Sequence, residues 1–140
     1  MSPLELIQEH PLLCPAGEHY PWRVLVVCAL LNLTQGAQVR PMLPELWRRC
    51  PDPTSLLVAG LDDLLAPLGL QYRRRDLLQH LTWDYLAGHG ARSHGCGQYA
   101  RDAWTLFVEG DLPDHAVADH KLRPYFCWRA AGGPAHDWKE

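Results

Sequence analysis

The sequence predicts an all-α fold in one domain, and three observations carry that prediction. Apolar residues recur at helical spacing along most of the chain, no alternating apolar run reaches the length of a strand, and the twelve prolines fall mostly between the periodic segments. A chain of 140 residues can bury roughly 68 to 70% of its unfolded surface, enough for one sizeable core, so residues 1–140 are expected to form one unit.

A first helix is expected near Leu4 to His10. The second runs from Pro21, suited to a first helical turn, through the all-round apolar stretch Trp22 to Leu33, and this reads as the central core helix. Val39, Met42, Leu43, Leu46 and Trp47 then predict a helix whose first half is disturbed by Pro41 and Pro44. Thr54 is expected to cap Ser55 to Ala59, and Leu61 to Leu68 forms a short helix stopped by Gly69, leaving Leu70 in a turn. Leu77, Leu78, Leu81 and Tyr85 mark the apolar face of an amphipathic helix from Tyr72 to Leu86, ended by Gly88 and Gly90. A turn, His94-Gly95-Cys96-Gly97, leads into a helix from Gln98 to Glu109, closed by Gly110. After a loop, Asp119 stands where an aspartate caps a helix, here His120 to Ala130, and Gly132, Gly133 and Pro134 end the fold.

Composition narrows the function. With 47% hydrophobic and 21% charged residues the chain is not a disordered segment, and its longest apolar run falls short of the roughly 20 residues of a membrane span. No secretion signal is recognisable at Met1-Ser2-Pro3-Leu4-Glu5, so an intracellular protein without membrane association, and a monomer, are expected. Five scattered cysteines, Cys14, Cys28, Cys50, Cys96 and Cys127, contain no CxxC pair and no four-thiolate set, which argues against zinc and against an iron–sulfur cluster. His89, His94, His115 and His120 match no usual zinc spacing either, so neither metal nor cofactor is expected. The net charge of -3 runs against nucleic-acid binding, and the dense basic spots are Arg48-Arg49 and Arg73-Arg74-Arg75. The latter three could neutralise phosphates.

The glycines of His94-Gly95-Cys96-Gly97 let backbone N–H groups and a helix N-terminus approach an anion such as a phosphate. An aspartate, Asp119, follows about twenty residues on. That order of glycine hairpin, amphipathic helix and aspartate resembles the helix-hairpin-helix DNA glycosylase superfamily. Pro21-Trp22-Arg23, Leu31-Asn32-Leu33-Thr34, Pro67-Leu68-Gly69-Leu70, His94-Gly95-Cys96-Gly97-Gln98-Tyr99 and Asp119-His120-Lys121-Leu122 further resemble the branch holding the methyl-CpG-binding thymine mismatch glycosylases. The order and spacing hold from about Leu6 to Trp128.

The resemblance implies a compact helical domain that acts on double-stranded DNA containing a mismatched or modified base. It makes Asp119 the catalytic carboxylate, with Gln8, Leu33 and Tyr99 around the flipped base and Tyr99 close to the chemistry. It makes Leu70 an apolar wedge entering the minor groove. His94, Gly95 and Gly97 would grip a phosphate, with Arg73, Arg74, Arg75 and Lys121 contacting DNA. In related enzymes that also cut the strand, a lysine after the hairpin forms a Schiff base; Tyr99 holds that place here, and a phenol cannot form an imine, which implies base release without strand cutting.

Three features depart from the pattern. Leu33 stands where the relatives carry an arginine that fills the gap left by the flipped base, and leucine cannot hydrogen-bond an orphan guanine. The connection from Ala87 to Ser93 is short, and Ser93 replaces a hydrophobic residue, so the first helix of the motif is expected to be stunted. The acidic net charge predicts weak nonspecific DNA affinity. Two alternatives accompany the glycosylase reading: a non-catalytic DNA-binding module, and an enzyme of the same fold acting on an unusual modified pyrimidine or a free nucleotide.

Overall fold

A computed structural model describes Cys14 and residues 17–32, 34–135 and 137–139. The described residues are helical with no strand, as the periodicity predicts. The expected helix from Leu4 to His10, and with it Gln8, lies outside the described residues, as does Leu33.

Helix α1 (Tyr20–Leu31) carries Pro21 in its first turn and buries Trp22, Val24, Leu25, Val26 and Val27 completely. A helix apolar on every face needs neighbours on every face, and α1 is accordingly the core against which the later helices pack. Its buried indole N–H is satisfied: Trp22 donates to the Thr82 hydroxyl at 3.0 Å, in a buried bond across 60 residues.

Helix α2 (Gly36–Val39) passes through a 3-10 turn at Arg40–Met42 into α3 (Leu43–Arg49). Pro41 and Pro44 each fall in the first turn of the segment they enter, where no N–H is missed, so they restart the helix instead of breaking it. Helix α4 (Pro53–Leu56) starts before the expected Thr54 cap, because Asp52 makes a capping box: the Ser55 N–H donates to Asp52 Oδ1 at 2.8 Å, and the Asp52 N–H to Ser55 Oγ at 3.3 Å. Helix α5 (Asp62–Leu65) runs into a 3-10 turn, Ala66–Leu68, and Gly69 ends it at φ 78°.

Helix α6 (Gln71–Leu86) lies against α1 through Leu78, Leu81 and Thr82. The short connection after it forms only one 3-10 turn, Gly90–Arg92. Ser93 is buried with its hydroxyl donating to the Gly90 carbonyl at 2.7 Å, which closes that turn on itself. Helix α7 (Gln98–Ala103) follows, and its expected continuation to Glu109 is wound as a π-helix from Trp104. The Thr105 hydroxyl donates to the Arg101 carbonyl at 3.0 Å, competing for the acceptor that an α-helical N–H would take.

Helix α8 (Arg123–Ala130) begins later than the expected His120, after a single turn organised by Asp119, and seats Tyr125 on Phe107 with ring centroids 4.6 Å apart. Beyond Pro134 the chain returns to the core instead of ending there. Trp138 stacks on Tyr20 at 5.5 Å between centroids and donates its indole N–H to the Val108 carbonyl at 2.9 Å.

Candidate active site

Asp119 owes its orientation to the turn it begins. Its Oδ1 accepts the backbone N–H groups of Lys121 at 2.9 Å and Leu122 at 3.0 Å, and its carbonyl accepts from the Arg123 N–H at 2.9 Å, the pattern of a helix cap. Both side-chain bonds use one oxygen, and Oδ2 has no hydrogen bond among the described residues. The side chain is half-buried and therefore both fixed and reachable.

Two groups feel its charge. Tyr99, in the first turn of α7, is half-buried against the core, and Cys28 of α1 is buried. Burial pushes the Tyr99 phenol above its ordinary range, with the negative fields of Cys28 and Asp119 adding to the effect, and burial does the same to the Cys28 thiol. The phenol makes no hydrogen bond among the described residues, and the Asp119 charge reaches it.

The hairpin between the 3-10 turn and α7 is held from below. The His94 N–H donates to Asp84 Oδ2 of α6 at 2.8 Å, and Gly95 adopts φ 84°. A Cβ on Gly95 would stand 3.1 to 3.3 Å from the Leu77 side chain, so this glycine serves both the turn and the close approach to α6. Gly97, extended at the start of α7, meets open space.

Leu70 lies near the C-terminal end of α1. Among the described residues it is the one non-glycine residue with positive φ, at 53°, and 59% of it is exposed. It borders a cleft of about 130 Å³ together with Ala29, Leu30, Asn32, Arg73 and Leu77. A left-handed leucine costs roughly 1–2 kcal/mol, and an exposed one gains little burial in return. The turn is tied down by Arg74, whose guanidinium donates to the Gly69 carbonyl at 2.9 Å, the Leu30 carbonyl at 3.3 Å and the Thr34 hydroxyl.

The three arginines thus occupy different positions. Arg74 is an internal tie, and Arg75 is paired with Asp62 at 3.0 Å and Asp76 at 3.2 Å while lying over the Tyr72 ring. Arg73 is exposed without a partner among the described residues. The other basic spot is neutralised as well: Arg49 bridges Glu45 at 3.0 Å and Asp63 at 2.8 Å, Arg48 pairs with Glu45, and these bonds hold the Glu45 and Asp63 carboxyls down to about 2.

No set of three His, Cys, Asp or Glu side chains is grouped to hold a metal among the described residues, and no helix there is long and apolar enough to cross a membrane. One polar cluster escaped the sequence reading. Asp102 of α7 is buried, and its Oδ1 receives both Gln98 Nε2 at 2.9 Å and His115 Nε2 at 2.8 Å. These residues are four and thirteen positions from Asp102 in polar contexts with no motif, and only the i, i+4 relation of Gln98 to Asp102 could have pointed to them.

No protein-family model matches the chain. Among curated proteins, 131 residues are 38% identical to the Methyl-CpG-binding domain protein 4-like protein of Arabidopsis thaliana, covering 89% of this chain. The Thymine-DNA glycosylase of Aeropyrum pernix is 36% identical over 75 residues, 51% of this chain. The Thymine/uracil-DNA glycosylase of Pyrobaculum aerophilum is 38% identical over 65 residues, 44% of this chain. The chain is related by sequence to proteins named as DNA glycosylases. It spans 28%, 34% and 28% of the lengths of these three relatives.

Proposed function

We propose that this chain is a monofunctional DNA glycosylase that flips a mismatched or modified pyrimidine, thymine, uracil or a 5-substituted uracil, out of a duplex and hydrolyses its N-glycosidic bond. The observation that carries the reading is Asp119: a half-buried carboxylate with one oxygen locked by two backbone N–H groups and the other uncommitted, its charge felt at Tyr99. Departure of the base builds positive charge on the sugar, and a carboxylate fixed in advance stabilises that charge more in the transition state than in the ground state. The uncommitted oxygen would either face that charge directly or accept a proton from the attacking water.

The remaining parts fit around this step. Tyr99 would stack on or border the extruded base, and its phenol offers no amine for imine formation, so an abasic site is the product. Leu70 would enter the minor groove as the base leaves, where an apolar side chain kinks the duplex at a few kcal/mol of unstacking, least at a mismatch. Gly95, Gly97 and the N–H groups around them would take a phosphate, with His94, Arg73 and Lys121 as further contacts. Arg74 and Arg75 would support the wedge turn through their internal bonds.

The test compares base release from labelled duplexes holding G·T, G·U, A·U and 5-hydroxymethyluracil, with wild type beside Asp119→Asn. Asparagine caps a helix about as well as aspartate, so the variant keeps the turn and loses the charge. Alkali-labile sites from wild type, reduced at least ~10²-fold in the variant, are expected. Binding by both proteins without base release would instead establish a non-catalytic module, and release from free nucleotides alone would establish the small-substrate enzyme.

A further inference from the structure

The loop that delivers Asp119 has little backbone structure of its own. After the Asp111 N–H donates to the Thr105 carbonyl at 2.9 Å, the described residues from Leu112 to Ala118 add no backbone-to-backbone bond until Asp119 accepts from Arg123. What anchors this stretch is side chains: Val117, which is buried, and His115.

His115 lies between two carboxylates. Its Nε2 is 2.8 Å from Asp102 Oδ1 on α7, and its Nδ1 is 3.0 Å from Asp114 Oδ1 on its own loop. These are the charged groups that face it from the two packed elements, and Gln98 Nε2, 3.2 Å away, is the neutral polar neighbour. A neutral imidazole has one N–H and can donate to only one carboxylate, whereas the imidazolium donates to both. Asp102 adds the second half of the argument, because its side chain is 6% exposed and His115 is its ion-pair partner among the described residues. A buried carboxylate left with a single amide donor is costly, so the ring is drawn toward its charged form. The hydrogen bonds to Asp114 and Asp102 accordingly raise the His115 pKa above the ordinary histidine value.

We propose that His115 is a positioning residue whose charged ring clamps the Leu112–Ala118 loop onto Asp102 and so fixes the position of Asp119 at the loop's end. The clamp ties together the parts the reaction needs, since Gln98, which shares Asp102 Oδ1 with His115, immediately precedes Tyr99. The inference rests on the glycosylase reading for its catalytic consequence and on geometry alone for its structural one. Its sign follows from the raised pKa. The contribution of the clamp is full below the unfolded-state pKa of histidine and is lost as pH rises through the higher folded-state value.

The experiment uses the full chain, wild type beside His115→Gln, with a thermal melt confirming that both are folded. Backbone ¹⁵N order parameters of the loop, followed against pH, are expected to fall in wild type from the rigid range of about 0.85 toward about 0.6 as the His115 ring titrates. In His115→Gln they are expected to be low at every pH. Single-turnover base release is expected to show an alkaline limb at the same pH in wild type. The glutamine variant should lack the limb and run roughly 10-fold or more slower at low pH with DNA affinity unchanged, since small misplacements of a reacting group cost up to ~10²-fold. A loop that is equally ordered in both proteins across the pH range overturns the clamp whether or not base is released. Base release with the alkaline limb intact in His115→Gln overturns its catalytic role while leaving the glycosylase reading standing. A loop that titrates as expected in a protein releasing no base keeps the clamp and overturns the glycosylase reading instead.

Discussion

The turn that carries Leu70 and the loop that carries Asp119 are both irregular segments presenting one side chain, yet they are held in opposite ways. The Leu70 turn is two residues, Gly69 and Leu70, between two helical segments, strained at Leu70 and locked by a guanidinium that makes three internal bonds. The Asp119 loop is longer, unstrained at its non-glycine residues, and attached through a titratable ring and one buried valine. On the proposed reading, a wedge at Leu70 would have to withstand force from the duplex, which favours a redundant tie. A carboxylate at Asp119 meeting a distorted sugar would need placement more than resistance, which a single polar clamp would supply.

The largest expected effect separates what Asp119 does for its loop from what it would do for the proposed reaction. Asp119→Ala removes both the cap and the charge and is expected to lower stability by about 0.5–2 kcal/mol, while Asp119→Asn keeps the melting temperature near wild type. Both should lose base release by at least ~10²-fold, so a difference between them in melting without a difference in turnover confirms that the two roles share one residue. Equal turnover in the asparagine variant and wild type would falsify the catalytic assignment.

Next in size is the tie on the other side. Arg74→Ala strips donors from the Gly69 and Leu30 carbonyls and is expected to cost about 1–3 kcal/mol in denaturant unfolding, whereas a surface arginine would cost little. An effect below 0.5 kcal/mol, the range of an ordinary surface substitution, would mean that the strained turn holds itself. Arg73 and Arg75 then divide the remaining charge. Arg73→Ala is expected to weaken duplex binding and make its salt dependence shallower by about one unit of slope, the loss of one phosphate contact. Arg75→Ala, whose guanidinium is already neutralised by Asp62 and Asp76, is expected to leave the slope unchanged.

The contrast between the two segments also explains what the sequence could tell. Helix α1, the amphipathic α6 and the hairpin glycines were legible because each leaves a local mark: an unbroken apolar run, a 3.6-residue spacing, or a glycine at positive φ. The position of Leu70 in a turn followed from Gly69 in the same way. Partners of charged side chains leave no such mark. That Arg74 reaches Thr34 across 40 residues, that His115 reaches Asp102, and that Trp138 closes on Tyr20 are consequences of assembly, not of local pattern. Asp52 displaced Thr54 as a cap because both are competent and Pro53 suits the first helical position, a choice that local rules allow but do not make.

The smallest expected effect is the most direct probe of strain. Leucine in the left-handed region costs roughly 1–2 kcal/mol, and glycine adopts it freely but loses about 0.5–1 kcal/mol of backbone entropy on folding. Little burial is forfeited at a side chain that is mostly exposed, so Leu70→Gly is expected to be neutral to about 1 kcal/mol stabilising, while Leu70→Ala, which keeps the Cβ and the strain, gains nothing. Both lose the apolar side chain and, on the glycosylase reading, should lose preference for mismatched over paired substrates alike. A protein made no less stable by a change that abolishes its selectivity would identify the turn as one where conformational strain is retained for function. If Leu70→Gly is clearly destabilised instead, the leucine is packing against its own cleft, and the wedge would have to be sought in a neighbouring side chain such as Asn32.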